Sequence, residues 1–276
     1  MYKLVASDMD ETFLDGEHRI PAANLAALKR MRELGVLFVP SSGRPYASIV
    51  DNFKDVDPSL LEGTYVISYN GGFINRFGDP EPLRSFSMDW DVALDIYARG
   101  RELGLCQHVY TPSGRIYVCD VPESERTYLA SLTGIDYFES AAFDDLSFVG
   151  NEPIVKILYM SDDFPALKKL GAQMAPELAA RGIAPTYSSG RYLEFMTEGI
   201  DKGTGLVALA EMLGIEVAET IGVGDSANDH EMIKAAGLGV GVANVTDEVR
   251  PDCDVVLDTA ADDGAFGELV ERFLER

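Results

Sequence analysis

Residues Leu4-Val5-Ala6-Ser7 form a short apolar run that empties into Asp8-Met9-Asp10-Glu11-Thr12. An apolar run of this length, with no polar alternation, reads as a fully buried strand. The acids then fall at its carboxyl end, which is where open α/β sheets bind ligands. Asp8 and Asp10 are two residues apart, so both can point into one crevice as the strand gives way to a loop. Carboxylates that close repel each other unless a cation lies between them. Oxygen ligands of this kind suit Mg²⁺, which takes one or two carboxylates and keeps several waters. Asp is also a common turn residue, so an isolated D-x-D-x-T is ambiguous and the rest of the chain must decide.

The downstream pattern is strand, helix, strand, helix, strand. Leu25, Leu28, Met31 and Leu34 recur at helical spacing before Gly35, and Val36 to Val39 is a second buried strand. That strand ends in Ser41-Ser42-Gly43-Arg44, where a hydroxyl, a closely approachable amide and a guanidinium make a phosphate cradle. A helix from Tyr46 to Phe53 follows, then a third strand, Tyr65 to Ser68, running into Tyr69-Asn70-Gly71-Gly72. The alternation predicts a parallel sheet with right-handed crossovers. Phe73 to Phe86, broken by Gly78-Asp79-Pro80, reads as a hairpin or linker leaving this unit.

The middle of the chain reads differently. Helices are expected at Trp90–Leu103, Glu123–Leu132 and Phe164–Arg181, and a strand at Ile154–Met160. Two hairpin signals, Thr111-Pro112-Ser113-Gly114 and Ser189-Gly190, interleave with them. This predicts a separate α+β unit with an antiparallel sheet over about residues 84–190. The first pattern resumes with Gly199-Ile200-Asp201-Lys202-Gly203 before a helix, which places Lys202 near a helix N-terminus, a ready anion site. Thr220 to Val223 is a strand emptying into Gly224-Asp225-Ser226-Ala227-Asn228-Asp229. Short strands at Val240–Val242 and Val255–Leu257 and a helix from Asp263 to Leu274 close the chain.

Composition narrows the partners. Forty-six acidic against 23 basic residues leave a net charge of −23, which repels nucleic acid and anionic membranes at long range. Any anionic ligand must be drawn by a metal and a few local cations. The three cysteines, Cys106, Cys119 and Cys253, fit no metal or redox spacing. With no leader-like start and no apolar run near about 18 residues, a soluble, cytoplasmic protein is expected. His18, His108 and His230 are too scattered for a triad or zinc site and read as ordinary surface or packing residues.

Four strand-end loops therefore carry paired acids, a Ser-Gly-Arg, a helix-start Lys and further acids, the parts of a magnesium-dependent phosphoryl-transfer site. No nucleotide P-loop, G-x-S-x-G or H-E-x-x-H is present. In this order the four motifs resemble the haloacid dehalogenase-like superfamily, and within it the Cof-like sugar-phosphatase group. The resemblance implies a Rossmann-like parallel core with helices on both faces, formed by residues 1–83 and 191–276. An inserted α/β cap, 84–190, would set substrate specificity. It implies a phosphatase of small phosphorylated metabolites, sugar phosphates foremost, with a phosphomutase or a non-catalytic metabolite-binding module as alternatives, as a monomer or homodimer.

The resemblance also implies roles. Asp8 would be the nucleophile forming an aspartyl-phosphate, and Asp10 the general acid and then base. Ser42 and Lys202 would hold the phosphoryl oxygens. Contacts to substrate would come from Asp8, Met9, Asp10, Ser42, Gly43, Arg44, Asn70, Lys202 and Asn228. Mg²⁺ would rest on Asp8, the backbone carbonyl of Asp10, and Asp225, supported by Asn228 and Asp229. Glu11 stands where many members have Gly, and Ser42 where many have Thr. For substrate selection the middle region offers His108, Tyr110, Arg115 and Arg191.

Overall fold

The structure is a computed structural model; it describes residues 1–113, 115–131, 137–140, 143 and 145–275. The chain divides into two compact units, Met1–Arg84 with Ile200–Arg276, and Ser85–Gly199.

The first unit is built on a five-stranded parallel sheet in the order Val255–Val256, Leu238–Gly241, Thr220–Gly224, Leu4–Ser7, Leu37–Pro40. Leu4–Ser7 is an interior strand of this sheet, and all four of its residues are buried. It pairs in parallel with Thr220–Gly224 on one side and Leu37–Pro40 on the other. All three strands therefore deliver their carboxyl ends, and the loops that follow them, to the same sheet edge. Val5, Phe38, Ile221, Val223 and Val240 pack with Phe13, Leu28, Met31 and Phe266 into one apolar cluster. Each such side chain contributes about 1.5–3 kcal/mol through burial.

The third expected strand, Tyr65–Ser68, joins this sheet only through a single parallel bridge between Ser41 and Ile67. Its continuous partner is Phe73–Arg76, in an antiparallel three-stranded sheet that also takes in Pro82–Ser85. The cause is the turn between them. Tyr69 (φ 51°) and Asn70 (φ 50°) are both left-handed, and Gly71 follows at φ 95°, so the chain reverses on itself.

The second unit holds a six-stranded sheet ordered Ile183–Ser188, Tyr192–Thr197, Lys156–Met160, Cys106–Tyr110, Ile116–Cys119, Tyr137–Glu139. One face packs Val109, Ile157, Tyr159, Leu193 and Phe195 against helices Trp90–Glu102 and Phe164–Ala179. The alternate residues Cys106, Val118, Leu158, Met160 and Tyr192 meet Leu129 of helix Glu123–Ser131. Two expectations change here. The sheet is not wholly antiparallel, because the short edge strand Tyr137–Glu139 runs parallel to Ile116–Cys119. The unit also runs to Gly199 rather than 190, because Tyr192–Thr197 pairs with Ile183–Ser188 and Lys156–Met160. Of the expected elements, Gly114 of the first hairpin turn and Leu132 of the helix from Glu123 lie outside the described residues. Among the described residues no helix is long and apolar enough to cross a membrane.

Candidate active site

The site is assembled where the parallel strands end. Asp8 continues the pairing of Leu4–Ser7 by donating its amide to Val223 O at 2.9 Å. The chain then makes one wide turn, closed by the Leu14 amide on Met9 O at 2.8 Å. Within it Asp10 is extended and Glu11 is left-handed at φ 54°. Met9, Thr12 and Phe13 therefore turn inward and are buried, whereas Asp10 and Glu11 face outward. Asn244 holds this conformation by donating Nδ2 to Glu11 O at 2.8 Å.

Asp8 meets Lys202, whose side chain is fully buried. Lys202 opens the helix Lys202–Leu213, and its position is set by a reciprocal cap. Thr204 N donates to Asp201 Oδ1 at 2.7 Å, and Asp201 N donates to Thr204 Oγ1 at 2.9 Å. Lys202 Nζ then reaches Asp8 Oδ1 at 2.5 Å and Asp229 Oδ1 at 2.6 Å. Asp229 Oδ2 accepts the amides of Asp225 at 3.0 Å and Ser226 at 3.1 Å, which folds the loop after Thr220–Gly224 back over its strand. Gly224 is required there, since a Cβ would collide with the Asp229 side chain. Thr12 Oγ1 donates to Asp225 Oδ1 at 2.8 Å and so ties the first acidic loop to the last.

Carboxylate oxygens of Asp8, Asp225 and Asp229 lie within 4.8 Å of one another, all three residues buried. Three carboxylates against one ammonium leave excess negative charge in a low-dielectric place, and the titration of the groups registers it. Burial pushes Asp8 up to about 7 against the pull of Lys202, with Asp229 adding to the rise. Burial likewise pushes Asp225 up to about 6, opposed by the Thr12 hydrogen bond and reinforced by Asp229 and Glu11. Burial would lower Lys202, but Asp8 and Asp229 outweigh it and hold the ammonium charged. Such a donor set fits Mg²⁺. Asp229 spends both oxygens on Lys202 and backbone amides, while Asp8 and Asp225 each have a second oxygen outside these bonds.

The remaining sequence candidates fall into two groups. Ser42 is buried, its Oγ accepting the Arg44 amide at 3.2 Å, and Ser42 O accepts the Asn70 amide at 3.0 Å. The Asn70 side chain covers Gly43: its Oδ1 lies 3.1 Å from where a Gly43 Cβ would stand. Gly71 is pressed on the backbone of Asp201, so a Cβ there would overlap the Asp201 carbonyl. The turn Tyr69–Gly71 thus touches both the Ser42-Gly43-Arg44 loop and the helix start that carries Lys202. Two candidates lie elsewhere. Asn228 is exposed, with Oδ1 accepting Ser226 Oγ at 2.9 Å. Asp10 turns its side chain away from the trio, toward Arg44 and His18.

Of the three histidines, His18 is an exposed surface residue whose Nδ1 lies 2.8 Å from Asp10 Oδ1. His230 is half-exposed against Glu231 and Asp252. In the second unit, His108 is buried beside Glu125, which also accepts Tyr192 Oη at 2.6 Å and pairs with Arg191 at 3.2 Å. Tyr110 lies under Lys156 Nζ, 4.5 Å from the ring centre, and exposed Arg115 pairs with Glu152 at 3.0 Å. Sequence reasoning also missed Thr12 and Asn244, although Thr12 stood in the D-x-D-x-T run.

The family model for haloacid dehalogenase-like hydrolases matches residues 5–269, and the chain belongs to that family. Among similar proteins, phosphatase YwpJ of Bacillus subtilis is 29% identical over 276 aligned residues, spanning 92% of this chain and 94% of the relative. An HMP-PP phosphatase of Serratia proteamaculans is 29% identical over 256 residues, spanning 91% of this chain and 87% of the relative. The crystal structure of a haloacid dehalogenase-like hydrolase from Bacteroides thetaiotaomicron superposes with a TM-score of 0.84 at 28% identity, covering 99% of both chains.

Proposed function

We propose that the chain is a Mg²⁺-dependent phosphatase that hydrolyses small phosphorylated metabolites, sugar phosphates foremost, through an aspartyl-phosphate on Asp8. The observation that carries this reading is the buried Asp8 carboxylate, gripped through Oδ1 by Lys202 at 2.5 Å beside Asp225 and Asp229. Phosphatase names among the similar proteins support it. Asp8 attacks phosphorus through its second oxygen; the new Oδ–P bond forms as the P–O bond to the leaving group breaks. Asp10 gives its proton to the departing oxygen, then takes one from the water that attacks the phosphoenzyme, releasing orthophosphate and restoring Asp8. Ser42 and Lys202 hold the phosphoryl oxygens, with Met9, Gly43, Arg44, Asn70 and Asn228 as further substrate contacts.

Mg²⁺ would be held by Asp8, Asp225 and the backbone carbonyl of Asp10, with Asp229 and Asn228 in support. It would neutralise charge on the phosphoryl oxygens. The second unit acts as the substrate-selecting cap, and its polar residues His108, Tyr110, Arg115 and Arg191 are the first candidates for that selection.

The test is Asp8→Asn, assayed with p-nitrophenyl phosphate and Mg²⁺ beside a screen of phosphorylated metabolites on the unaltered chain. The amide has no anionic oxygen, so turnover is lost while the melting temperature is kept. Substantial activity in a folded Asp8→Asn chain refutes the nucleophile.

A further inference from the structure

Asp10 is held by Arg44 of the phosphate cradle and by a second group, His18, that neither the cradle nor the buried trio accounts for. Its Oδ1 lies 2.8 Å from His18 Nδ1, and its Oδ2 lies 3.1 Å from Arg44 Nε. Whenever Asp10 is ionised, as it is once its proton has been delivered, its carboxylate only accepts, and the hydrogen in the first contact then sits on Nδ1.

His18 is brought there by a turn built around Asp15. Asp15 N donates to Arg19 O at 2.9 Å, and His18 N donates to Asp15 O at 3.0 Å. The Asp15 carboxylate meanwhile accepts the amides of Glu17 and Arg19, both at 2.9 Å. At the crest of this turn His18 is left-handed, φ 59°. That conformation costs energy for any residue with a Cβ. The hydrogen bonds around Asp15 hold the turn against that cost, whereas the His18–Asp10 pair adds little stability, because its side chains are 66% and 38% exposed. Strained backbone of this kind recurs in functional loops.

We propose that His18 is a positioning residue for Asp10. Its Nδ1–H holds one oxygen of the Asp10 carboxyl by a hydrogen bond while the Arg44 guanidinium attracts the other as an ion pair, and each oxygen keeps a lone pair for the proton that Asp10 delivers and recovers. The proposal rests on Asp10 being the proton donor to the leaving group, and it does not depend on the charge of the imidazole.

The test compares p-nitrophenyl phosphate with phenyl phosphate in the presence of Mg²⁺. Phenolate is the poorer leaving group of the two, so its departure needs the proton more. His18→Gly keeps the left-handed backbone without strain and removes the donor. His18→Asn tolerates the same backbone and returns an N–H close to the Nδ1 position. Acid–base help is worth about 10²–10⁴-fold in all. Loss of its orientation should lower kcat/KM about tenfold on phenyl phosphate and less than about threefold on p-nitrophenyl phosphate. His18→Asn should restore most of the loss, and His18→Gly should cost nothing further in an Asp10→Asn background.

Equal losses on both esters, full additivity with Asp10→Asn, or an Asn variant no better than Gly overturns the proposal; melting curves confirm that each variant is folded. The Asp10→Asn chain separates the two levels. If it loses activity equally on both esters, the role of Asp10 fails and that of His18 with it. If it discriminates and His18→Gly does not, only His18 fails.

Discussion

Replacing Lys202 with Met tests the electrostatics of the site most directly, because the variant keeps the side chain's length and removes its charge. In the native chain the ammonium serves two buried carboxylates, Asp8 at 2.5 Å and Asp229 at 2.6 Å. Removing one partner of a buried pair costs about 3–5 kcal/mol, since the other charge is left uncompensated. A stranded carboxylate can escape by taking a proton, at about 1.4 kcal/mol per pH unit above its ordinary value of about 3.9. That escape costs about 5–6 kcal/mol at pH 8 but only about 1.5 kcal/mol at pH 5. The sign follows from Asp8 itself, which burial raises from 3.8 to about 7, so the folded chain binds its proton more tightly than the unfolded one. The contribution of Asp8 to metal-free stability is therefore greatest in acid and falls as pH climbs from about 4 through about 7, and Lys202→Met deepens and prolongs that fall. At about 2–4 °C per kcal/mol, the metal-free variant should melt roughly 6–20 °C below the native chain at pH 8 and only a few degrees below it at pH 5. Scanning calorimetry in chelator at both pH values measures this. Equal melting temperatures at pH 8, or a larger deficit at pH 5, would refute the reasoning.

Mg²⁺ affinity should rise with pH between about 5 and 8, because Asp8, near 7, and Asp225, near 6, must shed protons to bind metal; calorimetric titration reads it, and a flat profile contradicts the trio as the metal site. Chelation should abolish turnover and Mg²⁺ restore it, with Ca²⁺ a poor substitute because it prefers more ligands at longer distances; full activity in chelator would remove the metal from the reading. Gly71→Ala should destabilise by about 2–4 kcal/mol and impair turnover, since its Cβ would overlap the Asp201 carbonyl beside Lys202. Gly35→Ala, at a similar φ of 72° in open space, should cost only about 1 kcal/mol in the same denaturant melts.

The elements legible in the sequence were those whose chemistry is local. Asp8, Ser42, Lys202 and Asp225 each follow a buried strand or open a helix, so period and position alone brought them to one sheet edge. The cap boundary was misplaced because a hairpin was cut at its own turn: Ser189-Gly190 sends the chain straight back, so Tyr192–Thr197 has to pair in the same sheet as Ile183–Ser188. The departure of Tyr65–Ser68 from the parallel sheet depended on two consecutive non-glycine residues adopting left-handed backbone, which propensity does not foretell. His18 was illegible for a related reason. Its approach to Asp10 depends on backbone amides gathered by Asp15, and no side-chain spacing records that arrangement.

A net charge of −23 and an anionic substrate are reconciled only by what happens to the few cations near the site. Lys202 is already answered by Asp8 and Asp229, and Arg44 by Asp10, so these side chains alone offer a phosphate no net positive charge. On the proposed function, the attraction comes from the Mg²⁺ that Asp8 and Asp225 would hold, while the rest of the surface repels. Screening weakens long-range repulsion over a Debye length of about 8–10 Å, whereas contacts inside a buried site are screened far less. With Mg²⁺ saturating, kcat/KM for a phosphate dianion should therefore rise modestly as ionic strength increases from about 0.01 to 0.15 M, the opposite of a protein that steers anions with a basic surface. A steep fall over that range would show that local cations reach the approaching substrate before the surface charge does, and that the pairing of Lys202 and Arg44 with carboxylates does not cancel their field.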